Sequence, residues 1–363
     1  MIEGFVQQNL QKYGIDETRM QESLQYGDLF VARVIEQQRD RYKVICETGE
    51  LNAAISGKLR FQALGLTGFP AVGDFVMIDK QESQGGDSVI HHILSRKSLI
   101  SRKAPGTTLD QQVIAANVDT LLICMSLNAD FNLRRLERYL TIAWESQATP
   151  VIVLTKSDLT EDVQARIDEI SSVAFGVEIL ICSTLSAGGL SELESIIHPR
   201  NTYAFVGSSG VGKSTIINHL AGVDILTVGD IRQSDSRGRH TTTHRQLILL
   251  PSGAIVIDTP GMRELSLTTG DLSNTFSDID ELSRLCKYKD CSHSSEPGCA
   301  VLQAVELGTL SADRLKSWQK LELELSYSEL NSRELENAKI DRMFGGKGEM
   351  KQAMKYLKQK NKR

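Results

Sequence analysis

The sequence contains no long apolar run and few cysteines. No apolar stretch approaches the roughly 18 to 20 residues that a membrane-spanning helix needs. The first residues, Met1 to Phe5, have neither the basic segment nor the apolar segment of a secretory signal. Six cysteines in 363 residues exclude a disulfide-dense scaffold. We therefore expect a cytoplasmic protein that has no membrane partner.

The chain also lacks an excess of positive charge. Lys and Arg total 41 against 46 Asp and Glu, for a net charge of −5. The chain as a whole is therefore not a basic nucleic-acid binder, and any contact with RNA must come from local patches. The length, with 40% hydrophobic residues, predicts two or three domains with sizeable cores.

A Gly-rich turn lies between an apolar strand and a helix at residues 203–215. The glycines let backbone amides approach a phosphate, and the helix N-terminus adds to this anion cradle. In such a P-loop, Lys213 would reach the β- and γ-phosphates and Ser214 would bind the bridging Mg²⁺. We predict that a nucleoside triphosphate binds Gly207, Ser208, Ser209, Gly210, Val211, Gly212, Lys213, Ser214 and Thr215.

The base is selected by another loop. Thr155, Lys156, Ser157 and Asp158 follow the buried strand predicted at 151–154. A carboxylate at Asp158 can accept both donors of the guanine edge, whereas adenine offers no such pair. Lys156 would lay its aliphatic stem over the base. These residues favour GTP, although an ATPase or a small-molecule kinase that shares only the P-loop is the alternative.

Two further segments complete a GTPase motif set. Asp258 and Gly261 form D-x-x-G at the end of a predicted strand, where Asp258 would hold Mg²⁺ through water and the Gly261 amide would sense the γ-phosphate. The segment 238–243 is the expected switch, and Thr242 is assigned to Mg²⁺ with Ser214 and Asp258. The base-reading residues precede the P-loop, whereas an ordinary small GTPase has the reverse order.

The residue that orients the attacking water is harder to assign. Met262 follows the D-x-x-G motif, and its side chain cannot perform the role that Gln has in Ras-type GTPases. His240 is the nearest candidate by sequence, and we predict that it is catalytic. The alternative is that His240 contacts RNA or stays solvated until the switch becomes ordered.

Cys286, Cys291, His293 and Cys299 form the pattern C-x4-C-x-H-x5-C. Three thiolates and one imidazole are suited to a closed, tetrahedral structural Zn²⁺ site. A redox pair or four unrelated buried residues are the alternatives. The other cysteines, Cys46, Cys124 and Cys182, lie in apolar strands, and we expect them to be small core residues.

Taken together, the motifs and their order resemble the RsgA family of ribosome small-subunit-dependent, circularly permuted GTPases. The resemblance rests on the segments 155–158, 207–215, 238–243 and 258–261 and on the Cys/His spacing. It implies a cytoplasmic GTPase that acts late in small-subunit maturation and is stimulated by the ribosomal particle. It also implies Ser183 and Thr184 as a loop backing the guanine, a catalytic role for His240, and the small ribosomal subunit, its rRNA and GTP or GDP as partners of a monomer.

The expected fold class is multidomain α/β. It comprises an N-terminal arm (1–27), an OB-like β-barrel (28–97), a circularly permuted P-loop GTPase domain (98–270), and a zinc-binding helical domain with a basic tail (271–363). Five short alternating runs predict the barrel, although an SH3-like barrel fits the pattern nearly as well. Cations lie in or near its strands, at Arg33, Arg39, Arg41, Lys43, Lys58 and Arg60. Each taken singly fits a solvated outward position of a strand, and the family resemblance implies that the set faces RNA.

The basic tail from Lys339 to Arg363 has nine Lys or Arg against two acidic residues. Clustered cations bind phosphate by releasing counterions, but a solvated tail without a partner is equally consistent with the charge. Two functions from different classes remain open. One is a ribosome-docked GTPase switch, and the other is a nucleotide-gated module whose arms bind protein or other nucleic acids.

Overall fold

The fold is described from a computed structural model. It covers residues 8–38, 41–63, 65–82, 86–103, 111–128, 130–226, 245–258, 267 and 270–328. Some sequence-predicted residues lie outside these ranges, namely His240, Thr242, Gly261 and the basic tail. The predictions made for these residues therefore rest on the sequence alone.

The described strands are β1 (Phe30–Gln38), β2 (Arg41–Cys46), β3 (Gly49–Ile55), β4 (Phe75–Ile78), β5 (Ser88–Ile93), β6 (Leu99–Lys103), β7 (Gln111–Ala116), β8 (Thr120–Ser126), β9 (Thr149–Thr155), β10 (Glu178–Ile181), β11 (Thr202–Val206), β12 (Arg245–Leu249) and β13 (Ile255–Asp258). The described helices are α1 (Gln8–Lys12), α2 (Glu17–Ser23), α3 (Gly57–Gln62), α4 (Leu133–Ser146), α5 (Val163–Ser171), α6 (Ser191–Ile196), α7 (Lys213–Ala221), α8 (Ser277–Ser283), α9 (Ala300–Glu306) and α10 (Ala312–Ser328).

Strands β1 to β5 form a closed barrel near the N-terminus. The strand order is β1-β2-β3-β5-β4, and β4 pairs back to β1. The pairing of β3 with β5 is parallel, and α3 lies between β3 and β4 in the chain. A five-stranded barrel with these features is an OB fold. The OB alternative, and not the SH3-like one, is therefore confirmed.

The nucleotide-binding motifs lie on a mostly parallel sheet. Strands β10, β9, β8, β11 and β13 are parallel neighbours in that order, and β12 pairs antiparallel with β13. Their apolar side chains are buried on both faces, as expected for parallel strands covered by helices. Because the strands are parallel, the segments that follow β8, β9, β11 and β13 all meet at one edge.

The barrel and this sheet share one continuous set of backbone pairings. Strand β1 extends beyond the barrel and pairs antiparallel with β12, with Glu36 opposite Gln246. Strands β6 and β7 form a separate antiparallel pair between the two units. Sequence analysis assigns no strands to these residues, so this strand pair is a feature that it missed.

The side chain of Arg33 is buried at this joint and is only 1% exposed. Its guanidinium donates to the carbonyl oxygens of Gly73 (3.1 Å) and Tyr13 (2.5 Å) and to Thr202 Oγ1 (3.0 Å). The expectation that Arg33 faces RNA is therefore wrong. Strand β1 has no solvent face at this point, because the arm and β11 cover the side opposite the barrel interior.

The C-terminal helices pack against α4. Arg314 on α10 is 3% exposed and binds Glu137 of α4 (2.9 Å) and Asp278 of α8 (2.6 Å). Arg138 of α4 forms a two-point ion pair with Glu324, at 2.7 and 2.6 Å. Hydrophobic residues of α8, α9 and α10 belong to the same core cluster as those of α4 and β8. Within the described residues, no helix has the length and apolar character to cross a membrane.

Candidate functional site: a P-loop facing a base-reading loop

The P-loop lies at the carboxyl edge of the parallel sheet. Strand β11 ends at Val206 and α7 begins at Lys213, and residues 207–212 connect them. The ammonium group of Lys213 donates to the carbonyl oxygens of Gly207 (2.8 Å) and Ser208 (2.7 Å). These two carbonyl groups fix the lysine across the mouth of the loop, where backbone amides and the helix N-terminus would meet a phosphate.

Glycine is required at the start of this loop. Gly207 has φ +143°, and a Cβ atom there would lie 2.4 Å from the carbonyl oxygen of Cys124 on β8. Gly212, the residue before α7, has φ +107°. Residues other than glycine adopt such φ values only at a cost in free energy. The two glycines that identify the motif in the sequence therefore occupy the two positions, at the start and end of the loop, whose backbone angles favour glycine.

The predicted base-reading loop contacts the P-loop directly. Thr155, the last residue of β9, is 3% exposed, and its hydroxyl donates to the carbonyl oxygen of Val211 at 2.6 Å. The next residue, Lys156, has φ +57° and turns the chain. Thr155 and Val211 are far apart in sequence, so this hydrogen bond brings two predicted motifs into contact. The hydroxyl of Thr155 ties the loops together where the GTPase motif usually has Asn.

Asp158 is held by the loop that follows β10. The hydroxyl of Ser183 donates to Asp158 Oδ1 at 2.6 Å, and the Ser157 amide donates to the Cys182 carbonyl oxygen at 3.2 Å. Thr184 is exposed beside them. Three predicted segments, at 155–158, 183–184 and 207–215, are therefore brought together. Asp158 keeps an exposed carboxylate at the surface of this site.

Asp258 ends β13, the strand next to the one that leads into the P-loop. Burial raises the pKa of its carboxyl group, and the positive charge of Lys213 opposes that change. Asp258 therefore lies within the electrostatic influence of the P-loop lysine. Its predicted Mg²⁺ partner Ser214 and the predicted phosphate-binding residue Thr215 lie half-buried in the first turn of α7, while Thr242, His240 and Gly261 are outside the described residues.

The four predicted metal ligands come together between α8 and α9. The donor atoms of Cys286, Cys291, His293 and Cys299 all lie within 4.8 Å of one another. His293 Nδ1 is 3.4 Å from Cys299 Sγ and 3.7 Å from Cys286 Sγ, and the two sulfur atoms are 3.9 Å apart. Burial lowers the pKa of His293, which favours the neutral imidazole that binds metals.

The distances between the ligand atoms are close to those expected around a tetrahedrally coordinated ion. Zn–S and Zn–N bonds of about 2.3 and 2.0 Å would separate ligand atoms by roughly 3.5 to 3.8 Å. The cluster can therefore hold a metal with little movement of its side chains. The remaining cysteines, Cys46, Cys124 and Cys182, are 0%, 3% and 1% exposed, which confirms their expected role as core residues. Cys46 and Cys124 lie in strands, whereas Cys182 directly follows β10.

Helix α10 supports the metal-binding loop, and the sequence does not indicate these contacts. The Trp318 ring lies 5.3 Å from the His293 ring, and the Gln319 amide donates to the His293 carbonyl oxygen at 2.9 Å. His293 has φ +54°, so its backbone turns sharply there. The helical periodicity of α10 assigns Trp318 to an apolar stripe, but it cannot show which loop that stripe covers.

Sequence analysis also missed Asp130. This residue lies between β8 and α4, and its carboxylate accepts a hydrogen bond from Ser208 of the P-loop. The only signal in the sequence is a polar segment after an apolar strand, with Asn128 and Asn132 beside Asp130. Such a segment is typical of any loop at a strand end, so its closeness to the P-loop could not be predicted.

Comparisons with known proteins agree with this geometry. A profile of the RsgA GTPase family matches residues 93–268. The small ribosomal subunit biogenesis GTPase RsgA 2 of Lactiplantibacillus plantarum is 52% identical over 352 residues, covering 97% of this chain and 98% of the relative. The RsgA 1 protein of Listeria innocua is 46% identical over 324 residues, covering 88% of this chain and 90% of that one. The similarity therefore extends well beyond the nucleotide-binding motifs.

Two solved structures share the architecture. YjeQ from Thermotoga maritima has a TM-score of 0.60 at 26% identity and covers 82% of this chain and 98% of its own. YloQ, described as a circularly permuted GTPase, has a TM-score of 0.58 at 26% identity and covers 84% of this chain and 98% of its own.

Proposed function

The chain belongs to the RsgA family of circularly permuted GTPases, and from this premise we propose that it acts as a GTP-hydrolysing maturation factor of the small ribosomal subunit. The curated relatives are named for small ribosomal subunit biogenesis. In this proposal the ribosomal particle stimulates hydrolysis, the substrate is GTP, and the protein works as a cytoplasmic monomer.

One observation carries the assignment of the nucleotide site. The hydroxyl of Thr155 binds the carbonyl oxygen of Val211, so the base-reading loop and the P-loop line the same cleft. A guanine nucleotide would lie with its base at Asp158 and its phosphates at Lys213. Asp158 would accept the two guanine donors while Ser183 orients its carboxylate. Lys156, Ser157 and Thr184 would complete the base pocket.

At the phosphate end, residues 207–215 would surround the β- and γ-phosphates with backbone amides. Lys213 would supply positive charge to the oxygens on which negative charge builds during transfer. Mg²⁺ would be held by Ser214, Asp258 and Thr242 and would neutralise the same oxygens. His240 would orient the attacking water, because the residue after D-x-x-G is Met262.

The Cys/His cluster would hold one structural Zn²⁺. All four ligand positions are filled by protein side chains, Cys286, Cys291, His293 and Cys299, so no position remains for a substrate water. The ion would fix the loop between α8 and α9 against Trp318 of α10. The barrel, this zinc-binding unit and the basic tail would be the parts that contact rRNA.

The test is GTP turnover by the purified protein with and without purified small ribosomal subunits. We expect slow turnover alone and strong stimulation by the subunits, and the variant His240→Ala should lose most of the stimulation. Free RNA at matched phosphate concentration and added salt are the controls. Equal stimulation by free RNA, or none by the subunits, would instead favour a nucleotide-gated module with another partner.

A further inference from the structure

The carboxylate of Asp130 contacts the P-loop, although Asp130 does not belong to any of the GTPase motifs. The Ser208 hydroxyl donates a hydrogen bond to Asp130 Oδ2. Ser208 is the second residue of the P-loop, and Asp130 belongs to the loop that joins β8 to α4. A side chain from another part of the chain therefore holds the beginning of the phosphate-binding loop.

Asp130 is itself fixed on two sides. Arg135 of α4 donates to Asp130 Oδ1 at 2.9 Å, to Oδ2 at 3.3 Å and to the backbone carbonyl oxygen at 2.7 Å. Asn128 Oδ1 accepts from the Asp130 amide at 3.0 Å and from the Ser126 hydroxyl at 2.8 Å. This arrangement links the end of β8, the intervening loop and the first turn of α4, so the carboxylate has a defined position.

The charge of Asp130 is stabilised in this position. Burial by itself would raise the pKa of its carboxyl group, but the hydrogen bond from Ser208 and the bonds and positive charge of Arg135 outweigh burial and lower the pKa. The group is therefore ionised at neutral pH. An ionised acceptor makes a stronger hydrogen bond to a hydroxyl than a neutral one does.

Ser208 connects Asp130 to the P-loop lysine, because its hydroxyl donates to Asp130 and its carbonyl oxygen accepts from Lys213. Lys213 Nζ donates to the carbonyl oxygens of Gly207 and Ser208 at 2.8 and 2.7 Å. Gly207 is confined because a Cβ atom there would lie 2.4 Å from the Cys124 carbonyl oxygen on β8. The side chain of Ser208 is tethered to Asp130 by a hydrogen bond. The position of Lys213 thus depends on two anchors, one steric and one a hydrogen bond.

We propose that Asp130 is a positioning residue for GTP hydrolysis, which keeps the start of the P-loop in the conformation that directs Lys213 toward the β- and γ-phosphates. Asp130 does so through Ser208 and Arg135, without touching the nucleotide. The inference rests on the proposed GTPase activity, but it does not depend on the ribosome as a partner.

The test uses intrinsic GTP turnover of the full chain without ribosomal subunits. Asp130→Ala should lower kcat at saturating GTP by about tenfold, the loss associated with one hydrogen bond to a charged group. Ser208→Ala should have a similar effect, and the double variant should lose no more than either single variant, because both remove the same contact. Asp130→Asn, which keeps a neutral acceptor, should recover part of the rate.

Two further measurements separate positioning from a general structural role. The melting temperature of Asp130→Asn and Ser208→Ala should stay within about 2 °C of the parent protein. The preference of Ser208→Ala for GDP over ADP should not change, because this variant keeps the charge of Asp130 that acts on Lys156 of the base-reading loop. Glu281→Gln, which removes an exposed carboxylate on α8, is the matched control and should leave kcat unchanged.

The inference is overturned if Asp130→Ala and Ser208→Ala both keep kcat within twofold of the parent protein. It is equally overturned if their losses multiply in the double variant, since the two side chains would then act independently. Absence of GTP turnover in the parent protein would instead refute the GTPase assignment itself, so the two failures are distinguishable.

Discussion

The barrel and the C-terminal helices are both joined to the GTPase sheet around a buried arginine, but the two guanidinium groups donate hydrogen bonds to different kinds of acceptor. Arg33, at the barrel joint, donates to two backbone carbonyl oxygens and one hydroxyl group. Arg314, at the C-terminal joint, donates to the carboxylates of Glu137 and Asp278 and to the Thr275 carbonyl oxygen. The two residues are similarly hidden, at 1% and 3% exposure.

The pKa of Arg33 reflects its lack of a bonded carboxylate. Burial lowers this pKa to about 10, and the nearby charges of Asp119 and Asp74 offset only part of the change. The face of the Phe75 ring, 4.8 Å from the guanidinium carbon, provides a further favourable contact. At Arg314, in contrast, Glu137 is itself 0% exposed and receives hydrogen bonds from Ser317 and Arg134 as well.

The two joints differ in the groups that would lose a hydrogen-bond donor if the arginine were removed. Without Arg33, the groups left behind are neutral. Without Arg314, a buried carboxylate loses one of its two positive partners. An unpaired buried charge is far more costly than an unpaired neutral group. We therefore infer that the C-terminal joint is the more sensitive of the two to single substitutions, although both bury one arginine.

The largest expected effect is that of Arg314→Met. It should destabilise the packing of α10 on α4 by about 3 kcal/mol, the lower end of the range for a broken buried ion pair, because Arg134 still faces Glu137. The measurement is chemical unfolding followed by the fluorescence of Trp144 on α4 and Trp318 on α10.

Two variants serve as controls for this prediction. Arg284→Met removes an arginine that is 73% exposed and pairs with Asp280, and it should change stability very little. Glu137→Gln combined with Arg314→Met should recover part of the loss, because no buried charge then remains. If Arg314→Met costs no more than Arg284→Met, the carboxylates are not what makes this joint sensitive.

Arg33→Met should have the next largest effect, about 1 to 3 kcal/mol, since it leaves neutral acceptors at Tyr13, Gly73 and Thr202 without their donor. The loss should be local, and hydrogen exchange should quicken in α1 and at the start of β11. Arg41→Met, which removes an exposed arginine of β2, is the matched control. A loss larger than that of Arg314→Met would reverse the order of the two joints.

Arg33 also shows where sequence analysis reaches its limit. The strands, the glycine spacing and the Cys/His cluster are local patterns, and they predict most of the fold and three segments that the structure brings into contact. The alternation rule, however, assigns polar residues of a strand to solvent. Five consecutive residues of β1, 31–35, are buried, because the barrel interior covers one face and the arm and GTPase sheet cover the other.

Asp130 was missed for a related reason. Its role depends on the meeting of β8 and β11 as parallel neighbours, which brings the loop after β8 next to the P-loop. Residue spacing along the chain carries no signal for such a contact. The roles of all the site residues, among them Thr242, Gly261 and His240, and the domain boundaries at 27, 97 and 270, stay predictions from the sequence.

The smallest effect is expected at the edge of the barrel joint, where Lys97 pairs with Asp119. The side chains are 35% and 27% exposed, so Lys97→Met should cost less than about 1 kcal/mol, and added salt should reduce the loss. The measurement is chemical unfolding at two salt concentrations. Lys316→Met, which breaks a pair exposed by 74% and 75%, is the control and should cost less.

The same variant tests how Arg33 is stabilised without a bonded carboxylate. Asp119 accepts a hydrogen bond from the Thr202 amide at 2.8 Å and faces Lys97, so its charge is shared between Lys97 and Arg33. Removing Lys97 takes one positive charge from Asp119, which in the parent protein still has Arg33 as a positive neighbour. In the Arg33→Met background Asp119 would lose both, so Lys97→Met should cost more there than in the parent protein. Equal costs in the two backgrounds would mean that Lys97 and Arg33 are not coupled through Asp119.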